Sequence, residues 1–390
     1  MMAMNHILLI SKDILKCDYL APYGGTIDDM PQISAIAKDG TVFMRHYTAA
    51  PSTAMAFTSM FTGLYPYQTG RRKYDEVGVF PETTLFDEMY KRGYEVHTLW
   101  DERYTYLAEK YSKCYGKNTI QHNVSWLTHD IPPHVKGEYD DLAYIPHYTE
   151  RLLKEMRSFL RNTVGKKNSV FMWMHLPHVL AGRNSYGSDM DVFDEIVGYC
   201  REYFQEIFIT ADHGHMDGTH GKYGYGFDVF EPAIHIPLIT PRIGDLEKVE
   251  AVTSNTRLSQ LILDRVIPDD EYVMSETAYY QQPHRKLAII KGKYKYVYDK
   301  YSRQTFLFDL ENDPSENINL AYPEVYDVDR KRYYAISQRI YYREWNDALK
   351  ALSDFQSIKQ SIWRNPPLII DLWERTKMNA RLFGARLLNK

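Results

Sequence analysis

The stretch Glu206-Ile207-Phe208-Ile209-Thr210-Ala211-Asp212-His213-Gly214-His215-Met216-Asp217-Gly218-Thr219-His220-Gly221 decides how the rest of the chain is read. Its β-branched and aromatic run, Ile207 to Thr210, is the pattern of a short buried strand. The run stops in an adjacent acid and imidazole, then a glycine, then two further histidines. Ligand sites in parallel α/β sheets gather at the carboxyl ends of strands. A carboxylate oxygen of Asp212 and an imidazole nitrogen of His213 at such an end suit a hard or borderline divalent cation. The same residues also suit a polar strand-end turn with surface histidines, and this window alone does not choose between the two.

Working outward, strand and helix patterns alternate. Asn5 to Ser11 reads as a first strand that delivers Asp13 at its end, and Met30 to Gly40 as a helix followed by the strand Thr41 to His46. In Ala49-Ala50-Pro51-Ser52-Thr53-Ala54-Met55-Ala56-Phe57-Thr58-Ser59-Met60-Phe61-Thr62-Gly63, Pro51 and Ser52 mark a helix start and Gly63 its stop. Thr53 then falls in the first turn, where free amide N–H groups favour an anion. A hydroxyl placed there beside a cation can act as a nucleophile; Ser52 and Thr53 are equally good as simple caps. Thr84 to Arg92 and Ile145 to Asn162 read as helices, and Tyr94 to Leu99 as a strand. Residues 102–145, rich in tyrosine and histidine, read as an irregular substrate-facing insertion. Ser169 to His175 reads as a strand running into His175-Leu176-Pro177-His178, a pair of histidines suited to proton transfer or anion binding. A helix over Asp191 to Phe204 precedes the opening stretch, and Ala233 to Ile239 reads as a further buried strand. This alternation up to about residue 265 predicts a mostly parallel sheet covered by helices on both faces. Asp13, Thr53, His175, His178, Asp212 and His213 all fall at or just past strand ends, which points to one composite site.

After Glu271 the texture changes. Lys286 to Tyr298 and Thr305 to Leu310 read as antiparallel strands, and residues 331–390 as helices broken at Asn365-Pro366-Pro367. The expected organisation is a catalytic domain over 1–270, a small α+β subdomain over 271–330 and a basic helical tail over 331–390. That tail holds twelve lysines and arginines against five acids, a net +7, leaving −11 for the rest of a chain whose total is −4. Its last helix has an apolar face suited to docking on its own domain or a sister subunit, or to an anionic membrane surface. The small total charge gives no reason to expect nucleic acid. Three well-separated cysteines, Cys17, Cys114 and Cys200, form no disulfide framework or CxxC pair. With no run long enough to span a membrane and no export signal, the sequence is expected to be cytoplasmic, with a membrane-peripheral variant of that reading.

The ordered motifs resemble the sulfatase branch of the alkaline phosphatase superfamily over about Asn5 to Leu320. Ile10-Ser11-Lys12-Asp13-Ile14-Leu15-Lys16-Cys17-Asp18-Tyr19-Leu20 is similar to the family's opening strand and metal aspartate. Thr53 falls at the nucleophile position, on a helix closing at Thr62-Gly63-Leu64-Tyr65-Pro66. Met174-His175-Leu176-Pro177-His178 resembles the central histidine motif, and Asp212-His213-Gly214 with His220-Gly221 and Ile236-Pro237-Leu238 is the strongest match. Lys293-Tyr294-Lys295-Tyr296 and Phe308-Asp309-Leu310-Glu311-Asn312-Asp313-Pro314 resemble the small C-terminal subdomain.

Where the family carries an oxidisable cysteine or serine within Cys-x-Pro-Ser-Arg, this chain has Thr53-Ala54-Met55-Ala56-Phe57, with nothing to mature to formylglycine and no arginine. Lys12 replaces the first aspartate of the opening pair, the second-signature lysine is replaced near Trp100-Asp101, and Tyr225 stands for the lysine or histidine after the His-Gly pair. A threonine ahead of Ser-Met-Phe-Thr looks like the phosphoethanolamine and phosphoglycerol transferases of the superfamily. The resemblance therefore implies an alkaline phosphatase-like α/β fold with one divalent metal ion (Mn, Zn, Ca or Mg) on Asp13, Thr53, Asp212 and His213. It implies cleavage of a phosphomonoester or diester, by hydrolysis or transfer, through a covalent Thr53 intermediate. His175, His178, His215 and His220 are candidates for protonating the leaving oxygen, and His215 is also a candidate for substrate binding. The paired basic residues Arg71 and Arg72 suit an anion clamp or, equally, a solvated face. The expected substrate is a small-molecule or glycan- or lipid-linked phosphoester. The alternatives are a sulfatase acting on a sulfate ester, and a non-catalytic glycan-binding or scaffolding relative.

Overall fold

The computed structural model describes residues 5–25, 30–69, 81, 83–101, 115–127, 148–164, 168–177, 186–277, 285–300, 302–321, 324–327, 332–335 and 345–362. His178, Arg71 and Arg72, most of the expected insertion, and the tail beyond residue 362 lie outside them. The chain divides into two compact units, residues 1–278 and 279–390.

The first unit holds β1 (Ile7–Lys12), α1 (Pro31–Asp39), β2 (Thr41–Tyr47), α2 (Thr53–Thr62), α3 (Pro66–Thr69) and α4 (Leu85–Lys91). These are followed by β3 (Glu95–Asp101), β4 (Thr119–Val124), α5 (Tyr148–Thr163), β5 (Val170–Leu176), α6 (Tyr186–Arg201) and β6 (Glu206–Ala211). Then come the short ribbon β7 (Met216–Asp217) and β8 (Tyr223–Gly224), α7 (Glu231–Ile234), β9 (Leu238–Thr240), β10 (Lys248–Ser254), α8 (Leu258–Asp264) and β11 (Val273–Glu276). Eight strands form one sheet in the order β10-β2-β9-β6-β1-β5-β3-β4. Every pairing is parallel except the two made by β9. The opening stretch thus sits at the centre, with β6 in register against β1 (Ser11 opposite Thr210) and β1 against β5 (Ser11 opposite His175).

Side-chain alternation splits the core into two layers. Leu8 and Ile10 of β1, Met172 and Met174 of β5, and Ile207 and Ile209 of β6 pack with residues of α1, α5 and α6. Ile7, Leu9, Phe171, Trp173 and Phe208 face the other way, into a layer filled by Phe57, Met60 and Phe61 of α2 and residues of α4 and α8. Helix α2 is buried from Thr53 to Phe61, so packing on all sides fixes its axis. It stops at Gly63, whose φ of 71° is left-handed and whose N–H donates to the Ser59 carbonyl at 2.9 Å. Helix α4 begins with a reciprocal cap, Asp87 Oδ2 accepting from the Thr84 backbone N–H at 3.0 Å.

The sequence reading departs from this fold in four places. Ala233 to Ile239 is not one strand: Glu231-Pro232 starts the helical turn α7, and only Leu238 to Thr240 pair, antiparallel to their neighbours. The expected irregular insertion contains β4, a half-exposed edge strand whose side chains carry little apolar signal. Strand β10 carries no legible strand pattern in the sequence, because Lys248, Glu250 and Ala251 are exposed and break the alternation. Finally, Arg332–Ala335 is not helical but pairs antiparallel with Glu324–Asp327, as its two tyrosines favour.

In the second unit, β12 (Lys286–Lys291), β13 (Tyr294–Asp299) and β14 (Thr305–Asp309) form an antiparallel meander. The strands β15 (Glu324–Asp327) and β16 (Arg332–Ala335) make a separate ribbon. Helix α9 (Trp345–Ile362) packs on β13, with Phe355 stacked on Tyr296 at 5.7 Å. No helix among the described residues is long and apolar enough to cross a membrane.

Lys12 ends β1 on the α6 side of the sheet, opposite to Asp13. Its ammonium is 1 % exposed, 2.5 Å from Asp189 of α6, and donates to the Pro177 carbonyl at 3.1 Å. Removing one partner of a buried pair costs roughly 3–5 kcal/mol, whereas an apolar replacement of both is often neutral. Lys12→Met should therefore lower stability by about that amount in a urea melt, and Asp189→Leu added to it should recover most of the loss. A double variant weaker than the single one would contradict this account.

Candidate active site

The alternation that builds the two layers also builds the site. Residues with side chains on the α2 face are Ser11 and Asp13 along β1 and its extension, Trp173 and His175 along β5, and Thr210 and Asp212 along β6 and its extension. Asp13 continues the β1 ladder by donating its N–H to the Leu176 carbonyl at 2.9 Å. Helix α2 enters on this same face, and Thr53 is its first residue. The incoming loop is held from outside the helix. Asn255, fully buried, accepts from the Ala49 N–H at 3.0 Å and donates to Thr48 Oγ1 at 3.1 Å, while Thr48 donates to the Ala50 carbonyl at 3.0 Å.

Thr53 Oγ1 lies 3.1 Å from His213 Nε2. His213 Nδ1 donates to the Gly214 carbonyl at 2.8 Å, so a neutral ring turns the Nε2 lone pair toward Thr53 and the carboxylates. Asp212 Oδ2 and Asp13 Oδ1 are 3.3 Å and 3.8 Å from that same Nε2. The backbone N–H of His213 donates to Asp212 Oδ1 at 2.8 Å, fixing the carboxylate plane. Gly214 permits the turn: a Cβ there would lie 2.1 Å from the Pro232 carbonyl oxygen.

Asp13, Asp212 and His213 each offer one ligand atom, all within 4.8 Å of one another, and all three residues are buried. Burial pushes the Asp212 carboxyl up to about 6; His213 pulls it down and Asp13 pushes it up again. Asp212 Oδ2, buried, makes no hydrogen bond of ordinary geometry among the described residues, and the Thr53 hydroxyl is the donor beside the carboxylate. Acceptor atoms crowded together out of water are a poor arrangement for a protein alone and a good one around a cation. Two carboxylate oxygens, an imidazole nitrogen and the Thr53 hydroxyl form a donor set that suits Mn²⁺, Zn²⁺, Mg²⁺ or Ca²⁺. The residues fit the group the resemblance implies.

The simple-cap reading of the α2 start fails for Ser52: its hydroxyl makes no capping hydrogen bond. Of the histidines, His175 is 1 % exposed and burial pushes it down to about 4, with Asp13 acting in the opposite direction. Phe57 stands edge-on to its ring at 4.7 Å. His215 is half-buried and likewise pushed down to about 4 by burial, then by the Lys16 ammonium. His220 is exposed, stacked on Phe230 at 4.2 Å, and holds φ 54° and ψ 27°, a left-handed conformation costly for a residue with a Cβ. Tyr225 lies against the His213 ring at 4.7 Å. Sequence reasoning missed Ser11, Trp173, Asn255 and Lys16. Lys16, 3 % exposed, bridges Asp217 at 2.5 Å and Asp18 at 2.9 Å, tying the loop after Asp13 to the ribbon that carries His220.

A mostly parallel sheet with this strand order, carrying a threonine at a helix start opposite an Asp-Asp-His trio, is the arrangement of the alkaline phosphatase superfamily. The sulfatase family model matches residues 5–203, half of the sequence, and the chain belongs to the sulfatase family. Among curated proteins it is similar to the choline-sulfatase of Rhizobium meliloti, 28% identical over 177 residues. That match covers 37% of this chain and 34% of the relative, about a third of its length. Among solved structures it is similar to the phosphonate monoester hydrolase of Agrobacterium radiobacter (TM-score 0.65, 15% identity, 92% of this chain and 96% of that one). It is also similar to a 2-O GAG sulfatase (TM-score 0.65, 15% identity, 93% and 94%). At these identities the structural matches show the shared fold.

Proposed function

We propose that the protein is a metal-dependent hydrolase of the sulfatase family that cleaves a phosphoester through a covalent intermediate on Thr53. The observation that carries the reading is the 3.1 Å approach of Thr53 Oγ1 to His213 Nε2, within the buried Asp13–Asp212–His213 trio. A divalent cation held by Asp13, Asp212 and His213 would supply Lewis-acid stabilisation of charge on Thr53 and on the phosphoryl oxygens. The residues supply the rest. The first turn of α2 presents backbone N–H groups to a tetrahedral anion. Thr53 Oγ attacks phosphorus, its P–O bond forming as the bond to the leaving oxygen breaks, and the leaving oxygen takes up a proton. Water then attacks the phospho-threonine, the bond to Oγ breaks and Thr53 regains its proton. We assign the leaving-group proton to His220, which is exposed on the loop that follows His213 and can be reprotonated from solvent, whereas His175 is enclosed. A threonine, unlike a cysteine, gives no formylglycine, which favours phosphorus over sulfur. Likeness to a phosphonate monoester hydrolase supports that choice; likeness to a choline-sulfatase favours the sulfate ester as second reading.

Aryl phosphate, bis-aryl phosphate, aryl phosphonate and aryl sulfate, each assayed with Mn²⁺, Zn²⁺, Ca²⁺ and Mg²⁺, separate these readings. A phosphorus ester is expected to be turned over at least ~100-fold faster than the sulfate, about 3 kcal/mol of discrimination. Faster sulfate cleavage would replace this reading with the second one. No turnover of any ester, with no cation bound, would favour a non-catalytic glycan-binding or scaffolding role.

A further inference from the structure

Ser11, Trp173 and His175 form a buried hydrogen-bond chain on the α2 face, behind Asp13. The Trp173 indole can only donate, and its Nε1 lies 3.0 Å from Ser11 Oγ. Ser11 therefore accepts from the indole and keeps one proton of its own to place. Two acceptors are in reach: His175 Nδ1 at 3.0 Å and the Met174 carbonyl at 3.5 Å. The first is an ordinary hydrogen-bond length and the second is at the outer limit, so the proton belongs with Nδ1. An imidazole nitrogen that accepts a hydrogen bond carries no hydrogen, and a neutral ring then carries its proton on Nε2. The ring plane is fixed as well. Phe57 stands edge-on to it at 4.7 Å, and Trp173 stacks on it at 6.0 Å with planes 22° apart.

We propose that Ser11 and Trp173 are positioning residues that lock His175 in the tautomer protonated at Nε2, so that the site has a fixed hydrogen-bond donor there and not a base. The locked N–H is a hydrogen-bond donor on the sheet face that carries Ser11 and Trp173, available to an anionic oxygen of a bound ester. His175 in this form does not take the Thr53 proton, which narrows the choice of proton carriers toward the ribbon. Only the kinetic consequence rests on the Thr53 reading; the tautomer itself does not.

The test is long-range ¹H–¹⁵N correlation on the full chain labelled with ¹⁵N-histidine, His175 being assigned by the signals lost in His175→Gln. The resting wild-type protein is expected to show a protonated Nε2 and a bare Nδ1. Ser11→Ala should populate the other tautomer and lower kcat on the best phosphorus ester by about 10–100-fold, as outer-sphere changes do, with KM within about twofold. Ser11→Thr, which keeps the hydroxyl, should restore both the tautomer and the rate, separating the lock from a general folding defect. A wild-type ring protonated at Nδ1 would overturn the proposal. So would a Ser11→Ala protein that keeps the wild-type tautomer, whatever its rate. If Thr53→Ala stays active while the tautomer is as stated, the nucleophile assignment fails and the lock stands.

Discussion

Thr53→Ala is expected to lower turnover of the preferred ester by roughly 10³- to 10⁶-fold, the range seen when a covalent nucleophile is removed and the rest of a site is left in place. The loss should fall on kcat. Oγ1 lies at the buried start of α2, 7 % exposed, and an alanine there keeps the helix and the Ala56 N–H bond to the Ser52 carbonyl. Cation binding should survive with weakened affinity, since Asp13, Asp212 and His213 remain. Thr53→Ser, which restores a hydroxyl at the same point, should recover a measurable part of the rate. Acid quench of the wild-type enzyme during turnover, followed by peptide mass analysis, should find one phosphoryl group on the peptide containing Thr53. A Thr53→Ala protein within tenfold of wild type would remove the covalent route and leave direct attack by water in its place.

How much of this was legible in the sequence depends on which signal carried it. The central strands were readable because β1, β5 and β6 are buried on both faces and spell continuous apolar runs that end abruptly in Asp13, His175 and Asp212. Thr53 was readable because Pro51-Ser52 and Gly63 bracket its helix. Edge elements were not. Strand β4 has three exposed positions and β10 three, so neither shows the alternation that betrays a half-buried strand. The residues that support the site were invisible for a different reason. Ser11, Trp173 and Asn255 act through partners 162 to 207 positions away, and no local pattern reports such a pairing. Lys12 shows the same limit. Its place beside Asp13 invites comparison with a metal ligand, yet one step along a strand reverses the side chain, and its partner is Asp189 in the opposite layer.

The replaced family positions also acquire a physical meaning. Phe57, where the family has an arginine, is 1 % exposed and joins Phe61 and Trp173 in one aromatic cluster, with ring centroids 5.9 Å and 4.8 Å away. A guanidinium could not occupy that cluster without stranding its charge. The change therefore removes a fixed cation from α2 and adds an apolar wall against His175 in the same step. Tyr225 likewise brings an aromatic ring to His213 in place of a side-chain cation.

Addition of a divalent cation should raise the melting temperature by several degrees, and Asp212→Asn should abolish that shift while leaving the cation-free protein at least as stable as wild type. The two halves follow from the same geometry. Asp212 is fully buried beside Asp13, with one oxygen satisfied by the His213 N–H and the other turned to the trio. Without a cation, that second oxygen costs the fold; an amide of the same shape carries no charge and relieves the cost. With a cation at about a hundred times its dissociation constant, binding to the folded state alone contributes about 2.7 kcal/mol. In Asp212→Asn that contribution should vanish, because the neutral amide oxygen is a weak ligand and only one carboxylate remains. Activity should fall with it by at least ~100-fold, since the group that neutralises developing charge is no longer held. Melts of both proteins with and without Mn²⁺, Zn²⁺, Mg²⁺ and Ca²⁺ decide the matter. Equal cation-induced shifts in the two proteins would place the binding site somewhere other than the trio, and would leave the approach of Thr53 to His213 without the chemistry assigned to it.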